Sequence, residues 1–262
     1  MEVALGYHAI ITGASAGIGA ALAHELSRSG YSVGLIARRE AKLAEVVDSV
    51  RGSGGVAEYA VADVTDREAL TAAVRQLEDK LGPCELMVAN AGVIGMQFAD
   101  EFKATDVTWI MDVNFNGVVH SVEAVLQGML SRGRGQLVAI SSVAGFRGLP
   151  TWGAYSASKA AVSTFMESLR VELKPRGITV TTVQPGFIDT DMTAGSKNPM
   201  PFLLSSDDLA HRVAGAIARR AGEYTVPWQM GALMWVTRRL PNWLYDKVLY
   251  SNVPKSKRGP AR

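Results

Sequence analysis

Short apolar runs alternate with longer segments whose apolar residues recur at helical spacing along most of this chain. The short runs predict strands at residues 7–12, 31–37, 56–61, 85–89, 136–141 and 178–183, with a shorter candidate at 223–226. The longer segments predict helices at residues 18–29, 39–51, 66–81, 105–130, 154–174 and 207–221. Most of these strands are almost continuously apolar, as is typical of parallel strands that helices cover on both faces.

The alternation of strands and helices continues without an internal repeat or a linker long enough to separate two domains. It predicts an α/β fold with one Rossmann-like, doubly wound parallel sheet of about seven strands, helices on both faces and a C-terminal helical extension. In such sheets ligands bind beyond the carboxyl ends of the strands. We therefore expect the functional side chains directly after the predicted strands.

Composition and charge exclude several other classes of protein. The 262 residues are 48% hydrophobic, which is enough for a buried core, and 27 basic side chains stand against 25 acidic ones. This balance gives no indication of a nucleic-acid partner. Cys84 is the single cysteine and the four histidines are scattered, so we expect no disulfide and no metal site. The amino terminus lacks the pattern of a signal peptide, and we expect a cytoplasmic protein.

A glycine-rich segment, TGASAGIG at residues 12–19, follows the first predicted strand and opens the first predicted helix. Glycines there let the backbone turn sharply and approach a diphosphate, whose charge meets the unpaired amides of the helix N-terminus. A glycine turn kept for packing alone is the alternative. The position between strand and helix favours a dinucleotide site, with Gly13, Ser15, Gly17, Ile18 and Gly19 as its candidate residues.

Two arginines follow the second predicted strand, where an NAD-dependent enzyme typically presents a carboxylate to the adenosine ribose. Arg38 and Arg39 suit the 2′-phosphate of NADP(H) instead, through charge and bidentate hydrogen bonds. We therefore expect NADP(H) as the preferred cofactor, with Arg38 as the stronger of the two contacts. Solvated arginines at a helix start are the alternative, and Glu40 keeps NAD(H) open as the weaker cofactor candidate.

The densest group of reactive side chains lies between Ser141 and Lys159. Tyr155 and Lys159 stand one helical turn apart, so the phenol and the ammonium lie on the same helix face. A phenol must be stabilised as phenolate by about 4 kcal/mol to titrate near neutral pH, which an adjacent cation and a nicotinamide charge would supply together. An ordinary surface pair on an amphipathic helix is the alternative.

Together these motifs make the chain similar to the classical short-chain dehydrogenase/reductase (SDR) family from Tyr7 to about Tyr224. The motifs stand in the family's order: the TGxxxGxG turn, Asp63-Val64, Asn90-Ala91-Gly92, Asn114, Ser142 thirteen residues before Tyr155, Lys159, and Pro185-Gly186 with Thr190. One departure is Ala16, which stands where NADP-preferring members often carry a basic residue. The NADP preference therefore rests on the two arginines.

The resemblance implies the reaction and the roles of four residues. Residues 1–227 would form an NAD(P)-binding catalytic domain, of which residues 228–262 would be an apolar and basic extension. Tyr155 would act as acid or base in the interconversion of a ketone and an alcohol, and Ser142 would bind the substrate oxygen. Lys159 would bind the nicotinamide ribose and lower the pKa of Tyr155. Asn114 would hold a water molecule in a proton relay.

The other positions of the motifs would contact the cofactor. Ser141 beside Ser142 leaves a small ambiguity, which the thirteen-residue interval to Tyr155 decides in favour of Ser142. The resemblance places Asp63 and Val64 at the adenine, Asn90, Ala91 and Gly92 along the cofactor channel, and Pro185, Gly186, Ile188 and Thr190 toward the carboxamide end.

Two further segments concern the substrate and the partners. Residues 187–206 are apolar and bulky and coincide with the family's variable substrate loop, so we expect a lid over a hydrophobic or lipid-like carbonyl compound. Residues 228–262 interleave tryptophans with basic side chains. Packing on the core or a subunit contact is the favoured interpretation, and peripheral membrane contact is the alternative. The resemblance implies a homodimer or homotetramer, usually formed through the helices that carry Asn114 and Tyr155.

A second function stays open on the same fold, namely that of a non-catalytic dinucleotide-sensing or regulatory protein. Such a protein needs the glycine-rich turn. It has no need of Asn114, Ser142, Tyr155 and Lys159 at mutually compatible spacings. The sequence therefore favours an enzyme whose substrate is a small-molecule carbonyl compound or alcohol.

Overall fold

A computed structural model describes residues 7–193 and 200–250 of the chain. The strands in these residues are β1 (His8–Thr12), β2 (Ser32–Ala37), β3 (Ala57–Val61), β4 (Cys84–Ala89), β5 (Gly135–Ile140), β6 (Ile178–Pro185), β7 (Ile188–Asp189), β8 (Leu204–Ser205) and β9 (Glu223–Val226). The α-helices are α1 (Gly17–Arg28), α2 (Glu40–Gly52), α3 (Arg67–Leu81), α4 (Ala104–Met111), α5 (Gly117–Arg132), α6 (Gly153–Leu173), α7 (Ser206–Ala218), α8 (Trp228–Arg239) and α9 (Asn242–Leu249).

One parallel sheet organises the molecule, with the strand order β3-β2-β1-β4-β5-β6-β9. Strand β1 pairs with β2 on one side and with β4 on the other, so β1 lies inside the sheet. The order in which successive strands are added reverses between β1 and β4. The crevice outside the carboxyl ends of β1 and β4 is the place where such sheets bind ligands. The predicted α/β fold, with a seven-stranded doubly wound sheet, is confirmed.

Helices cover both faces of this sheet, which explains why the strands are apolar without alternation. Helices α1, α2 and α7 pack on one face, where Leu22, Val47 and Val213 are buried. Helices α3, α5 and α6 pack on the other, where Leu77 and Val162 are buried. All five residues of β1 are buried.

The helix predicted over residues 105–130 is not one continuous α-helix. A π-helical turn, Asp112–Asn116, separates α4 from α5, and the Gly117 amide donates to the Asp112 carbonyl five residues back. A π turn inserts an extra residue into the helix and is often found at functional sites. Because apolar spacing continues through the turn, the hydrophobic pattern gives no signal of it. The fully buried Asn114 lies in this turn.

The C-terminal extension is helical in the described residues, as predicted, and the predicted lid is described only in part. Residues 228–250 form α8 and α9, while residues 251–262 lie outside the described residues. The ends of the predicted lid are joined by two short parallel strands, in which Ile188 pairs with Leu204 and Asp189 with Ser205. Residues 194–199 of the predicted lid lie outside the description. None of the helices in residues 7–193 and 200–250 is long and apolar enough to cross a membrane.

Candidate active site

The glycine-rich turn joins the carboxyl end of β1 to α1 and approaches the loop after β4 closely. Gly13 has a φ of +66°, and a Cβ atom there would lie 2.7 Å from the Ala91 Cα. Gly17 has a φ of +54°, and its Cβ would lie 3.3 Å from the Thr190 Cγ2. Both positions therefore require glycine, for the backbone conformation and for the close approach of neighbouring chain.

The N-terminus of α1 is available to an anionic ligand. Within this described segment, Ala16 gives no side-chain cap and the first turn contains no acidic residue. The amides of the first turn and the positive end of the helix dipole therefore face no protein carboxylate from this turn. This arrangement fits the diphosphate of a dinucleotide. Ile18 packs against the hydrophobic core and fixes the start of the helix.

Thr12 and Asn90 hold the glycine-rich turn in place. The Thr12 hydroxyl accepts the backbone amides of Asn90 and Ala91 at 3.1 and 3.2 Å. The Asn90 Nδ2 donates to the carbonyls of Thr12 and Gly13 at 2.9 and 3.3 Å. The side chain of Asn90 therefore supports the turn. The sequence analysis did not single out Thr12 as a site residue, although it opens the glycine motif, because threonine is ordinary at the end of a strand.

The two arginines after β2 have different partners. Arg39 donates from Nε and Nη2 to the Ser15 hydroxyl at 3.2 and 3.0 Å. Arg38 lies 3.4 Å from the Asp63 carboxylate, and its side chain is 63% exposed. Glu40, the residue that kept NAD(H) open, accepts the Tyr59 hydroxyl at 3.3 Å. The structure thus joins Arg39 to the glycine-rich turn, whereas the sequence had favoured Arg38 as the main phosphate contact.

Asp63 and Val64 follow β3 and flank the same end of the sheet. Burial raises the pKa of Asp63, but two hydrogen bonds from Thr65 and the charge of Arg38 outweigh it, so the pKa is lowered overall. Val64 is buried, and its carbonyl lies 2.9 Å from the His120 Nδ1. Asp63 is therefore an ionised hydrogen-bond acceptor at neutral pH.

Ser142, Tyr155 and Lys159 converge beyond the carboxyl end of β5. The Ser142 hydroxyl accepts the Ala144 amide at 3.1 Å, donates to the Pro185 carbonyl at 3.5 Å, and is near enough to the Tyr155 phenol to lower the pKa of that phenol. Lys159 lies one turn further along α6, donates to the Ile140 carbonyl at 2.8 Å and has its Nζ 5.8 Å from the centroid of the Tyr155 ring. The predicted serine, tyrosine and lysine are thus brought together at one point.

Burial governs the ionisation of these groups. It raises the pKa of Tyr155 above its ordinary value, and the hydrogen bond with Ser142 lowers it by less. It also lowers the pKa of Lys159 to about 8. The expected lowering of the Tyr155 pKa depends on Lys159 and a nicotinamide charge together, so it stays a prediction for the complex with the cofactor.

The neighbouring Ser141 points away from the phenol. Its hydroxyl donates to the Lys159 carbonyl at 2.9 Å and lies 2.8 Å from the Ser163 hydroxyl, both on α6. Ser141 therefore fastens β5 to α6, and Ser142 is the serine that reaches Tyr155. This geometry agrees with the choice that the thirteen-residue interval had favoured.

Asn114 joins the loop after β4 to the helix that carries Tyr155. Its Oδ1 accepts the Val93 amide at 2.7 Å, and its Nδ2 donates to the Val93 carbonyl and to the Ser158 hydroxyl, both at 3.0 Å. The Ser158 hydroxyl in turn donates to the Tyr155 carbonyl at 2.8 Å. The amide side chain is thus a positioning element, and its part in a proton relay stays a prediction. Sequence reasoning missed Ser158, because it is one of two serines between Tyr155 and Lys159 without a distinguishing pattern.

Gly92 connects the cofactor side of the crevice to the lysine. A Cβ at Gly92 would lie 3.3 Å from the Asn114 Oδ1 and 3.5 Å from the Lys159 Nζ. Gly13 meets the adjacent Ala91. A continuous path of contacts therefore runs from the glycine-rich turn to Lys159.

The segment after β6 closes the crevice on its other side. Pro185 ends β6, and a Cβ at Gly186 would lie 2.9 Å from the Met230 Cγ of α8. Ile188 is buried, and the Thr190 amide donates to the Thr193 hydroxyl at 3.1 Å. Because Gly17 faces Thr190, this segment lies opposite the glycine-rich turn.

Arg147 binds the C-terminal helix pair, by which we mean α8 and α9, to the loop after Ser142. Its guanidinium donates to the Leu240 carbonyl at 2.8 Å and to the Asn242 Oδ1 at 2.9 Å, as well as to the Thr237 carbonyl. Its Cζ lies 3.6 Å from the centroid of the Tyr245 ring. The inner side of the pair packs on the chain itself, where Met230 and Met234 contact a cluster of Val143, Phe146, Leu149 and Phe187.

Comparisons with known sequences agree with this geometry. The sequence model of the short chain dehydrogenase family matches residues 7–200. An uncharacterized oxidoreductase of Myxococcus xanthus is 42% identical over 238 residues, which cover 91% of this chain and 94% of that protein. An acetoacetyl-CoA reductase of Synechocystis sp. is 39% identical over 184 residues, which cover 70% of this chain and 72% of that protein.

Solved structures share the fold over most of its length. A variant of actinorhodin polyketide ketoreductase with NADPH has a TM-score of 0.79 at 30% identity and covers 86% of this chain and 97% of its own. An alcohol dehydrogenase from Thermococcus sibiricus complexed with 5-hydroxy-NADP has a TM-score of 0.76 at 25% identity, with coverages of 84% and 95%.

Proposed function

We propose that this chain, which belongs to the short chain dehydrogenase family, is an NADP(H)-dependent oxidoreductase that interconverts a ketone and a secondary alcohol. The observation that carries the proposal is the convergence of Ser142, Tyr155 and Lys159 beyond β5. These side chains lie at the end of a path of contacts that begins at the glycine-rich turn. A binding module would need the turn but not a buried phenol beside a serine and a lysine.

The residues around the crevice fit a pyridine dinucleotide. The uncapped N-terminus of α1 suits its diphosphate, and Lys159 is a buried cation whose described hydrogen-bond partner is a carbonyl, so it retains donors for ribose hydroxyls. When bound, the reduced nicotinamide supplies the hydride. The chain itself binds, orients the substrate oxygen and handles the proton.

Tyr155 holds the proton for this reaction. Because burial raises its pKa, the phenol is protonated at neutral pH, which is the state that a general acid needs. It gives its proton to the carbonyl oxygen, while the Ser142 hydroxyl donates a hydrogen bond to the same oxygen and stabilises the developing negative charge. In the reverse direction the phenol must first lose its proton, which burial opposes.

Arg39 supports the preference for NADP(H). Its two hydrogen bonds to Ser15 place a guanidinium beside the glycine-rich turn, where it serves a phosphate on the adenosine ribose. Arg38 adds a second positive charge at the end of β2, although it is shared with Asp63. NAD(H) is the weaker alternative, because Glu40 is engaged by Tyr59.

The substrate that fits is bulky and hydrophobic. Val143, which follows Ser142, packs in an apolar cluster with Met230, Met234, Phe146 and Phe187, so the side chains next to the serine are apolar. Two similar proteins are named as reductases of acetoacetyl-CoA and of a polyketide, which are carbonyl compounds on acyl chains. We therefore propose a lipid-like ketone as the substrate class.

A paired screen tests the proposal. The purified chain is incubated with NADPH or NADH and with 3-ketoacyl thioesters, sphingoid ketones, steroids and small aldehydes, and Tyr155→Phe is run in parallel. We expect NADPH oxidation with a hydrophobic ketone, and a loss of turnover of about a thousandfold in the variant with cofactor binding retained. NADPH binding without turnover on any ketone would favour the sensor and contradict the enzyme, and so would near-normal turnover of the variant.

A further inference from the structure

The outer side of the C-terminal helix pair exposes an unusual share of the aromatic side chains. Trp228, Trp235 and Trp243 are 72%, 55% and 69% exposed. They are three of the five tryptophans of the chain. Large aromatic side chains are normally covered in a folded protein, so three exposed indoles on one helix pair indicate an interaction surface.

The two exposed tryptophans of α8 lie along one side of the helix. Trp228, Trp235 and Val236 recur at helical spacing, whereas Met230 and Met234 are buried on the opposite side. Helix α8 is therefore apolar on two sides, of which the inner one packs on the loop after Ser142. An ordinary surface helix would be polar on its outer side. The outer side is thus built for contact with something other than water.

Basic side chains accompany these tryptophans. Residues 228–262 contain seven basic side chains and one acidic, whereas the other 227 residues contain 20 basic and 24 acidic. The Arg239 guanidinium lies 3.6 Å from the centroid of the Trp235 ring, so one cation is held directly at an exposed indole. The seven basic residues are Arg238, Arg239, Lys247, Lys255, Lys257, Arg258 and Arg262.

We propose that the outer side of α8 and α9 binds the surface of an anionic phospholipid membrane. Indole rings favour the boundary between headgroups and acyl chains, and basic side chains beside them bind anionic headgroups. A second copy of the chain is disfavoured, because Arg238, Arg239 and Lys247 would meet the same positive charges on the copy. The proposal does not depend on the reaction that the crevice catalyses.

A groove beside α8 favours a membrane surface over a protein segment that would insert into the groove. The groove, of about 1290 Å³, separates α8 from α6 and β9 and has Trp228 and Trp235 on one wall. Its other wall is polar, with Glu167 3.9 Å from Arg170 and with Glu223 accepting the Gln184 amide. An apolar segment seated in this groove would bury those polar groups at a cost. A lipid surface contacts the outer rim and leaves the polar wall in water.

Vesicle sedimentation tests the proposal with the full chain. The probes are vesicles of phosphatidylcholine alone and of an equal mixture of phosphatidylcholine and phosphatidylglycerol. We expect the chain to sediment with the mixed vesicles, to bind phosphatidylcholine more weakly, and to be released as NaCl shortens the Debye length to about 3 Å at 1 M.

Two sets of variants separate the aromatic contribution from the charge. Trp235→Ala with Trp243→Ala should lower partitioning about tenfold or more for each indole removed, whereas Trp109→Ala, which removes a 46% exposed tryptophan of α4, should leave it unchanged. Arg238→Gln with Lys247→Gln should lower it about fivefold per charge. Arg75→Gln with Arg212→Gln, on α3 and α7, is the charge-matched control.

Each other outcome overturns the proposal. Equal sedimentation with both kinds of vesicle, or no sedimentation with either, would remove the anionic membrane as the partner. A loss of binding in the control variants as large as in the test variants would show that the helix pair is not the binding surface. A change of oligomeric state in the tryptophan variants, measured by light scattering, without any vesicle binding would assign the surface to a second copy.

Discussion

The two sides of the crevice are built in different ways. On the cofactor side, a turn with two positive-φ glycines is held by hydrogen bonds from Thr12 and Asn90. On the substrate side, methionine and phenylalanine side chains form an apolar cluster next to Ser142. Arg147, in the loop after Ser142, holds the C-terminal helix pair against this cluster. The first side allows few residue types at each position, whereas the second needs only apolar side chains of suitable size. Chemistry common to a family belongs on the first side and substrate choice on the second.

The largest expected effect is the pH dependence of stability that Lys159 causes on the cofactor side. Burial lowers the pKa of Lys159 from 10.5 to about 8. Below about pH 8 Lys159 is protonated in both the folded and the unfolded chain, and the buried ammonium destabilises the fold. Between about pH 8 and 10.5 the lysine is protonated only in the unfolded chain, so the free energy of unfolding rises with pH. Lys159→Met should lack this rise, which amounts to about 3 kcal/mol.

Urea unfolding at about pH 7 and about pH 10 measures this difference between the wild type and Lys159→Met. The comparison is made between the two proteins because burial also raises the pKa of the Cys84 thiol, which acts in the opposite direction and cancels in the difference. Parallel pH profiles for the two proteins would contradict the depressed lysine pKa and would place Lys159 in contact with water.

Alanine substitutions at one glycine on each side should affect NADPH binding very differently. Gly13→Ala puts a Cβ 2.7 Å from the Ala91 Cα at a positive φ, so the turn must shift, and we expect NADPH affinity to fall about a hundredfold. Gly148→Ala, in the loop held by the C-terminal helix pair, places a Cβ with no atom within 4 Å among the described residues and should leave affinity unchanged. Fluorescence titration of NADPH distinguishes the two. Normal binding by Gly13→Ala would remove the turn from the cofactor site.

Cofactor choice should depend more on Arg39 than on Arg38. Arg39→Ala removes a guanidinium held beside Ser15, and we expect the KM for NADPH to rise about thirtyfold while the KM for NADH is unchanged. Arg38→Ala removes a mostly exposed side chain and should have the smaller effect. An equal rise in both KM values for Arg39→Ala would assign the residue to the fold of the turn and not to the phosphate.

The smallest effect is expected on the substrate side. Arg147→Ala removes hydrogen bonds to Leu240 and Asn242 and the contact with the Tyr245 ring, so the apolar cluster loses its attachment. We expect the KM for a hydrophobic ketone to rise about fivefold while NADPH affinity stays the same. Arg147→Lys keeps the positive charge but lacks the planar guanidinium with its several donors, so the KM for the ketone should stay close to that of Arg147→Ala. A fall in NADPH affinity would show that the two sides are not separate.

The same contrast explains what was predictable from sequence. The alternation of strands and helices predicted the α/β fold. The motifs predicted that Ser142, Tyr155 and Lys159 lie together, because these positions require particular residue types at fixed spacing. The π turn at Asn114 and the Arg39–Ser15 pair were not visible, since both depend on backbone geometry that hydrophobic spacing does not encode. The raised pKa of Tyr155 was also missed, because burial depends on the whole packed structure.

The central claim is that the two sides meet at Tyr155, where a ketone receives a hydride at carbon and a proton at oxygen. The most direct measurement uses NADPH carrying deuterium at the nicotinamide C4, prepared in both stereochemical forms, with a ketone from the screen. We predict that one of the two forms yields a secondary alcohol with a single deuterium on the carbinol carbon. Alcohol without deuterium from either form, or no alcohol from any ketone in the screen, would contradict the account.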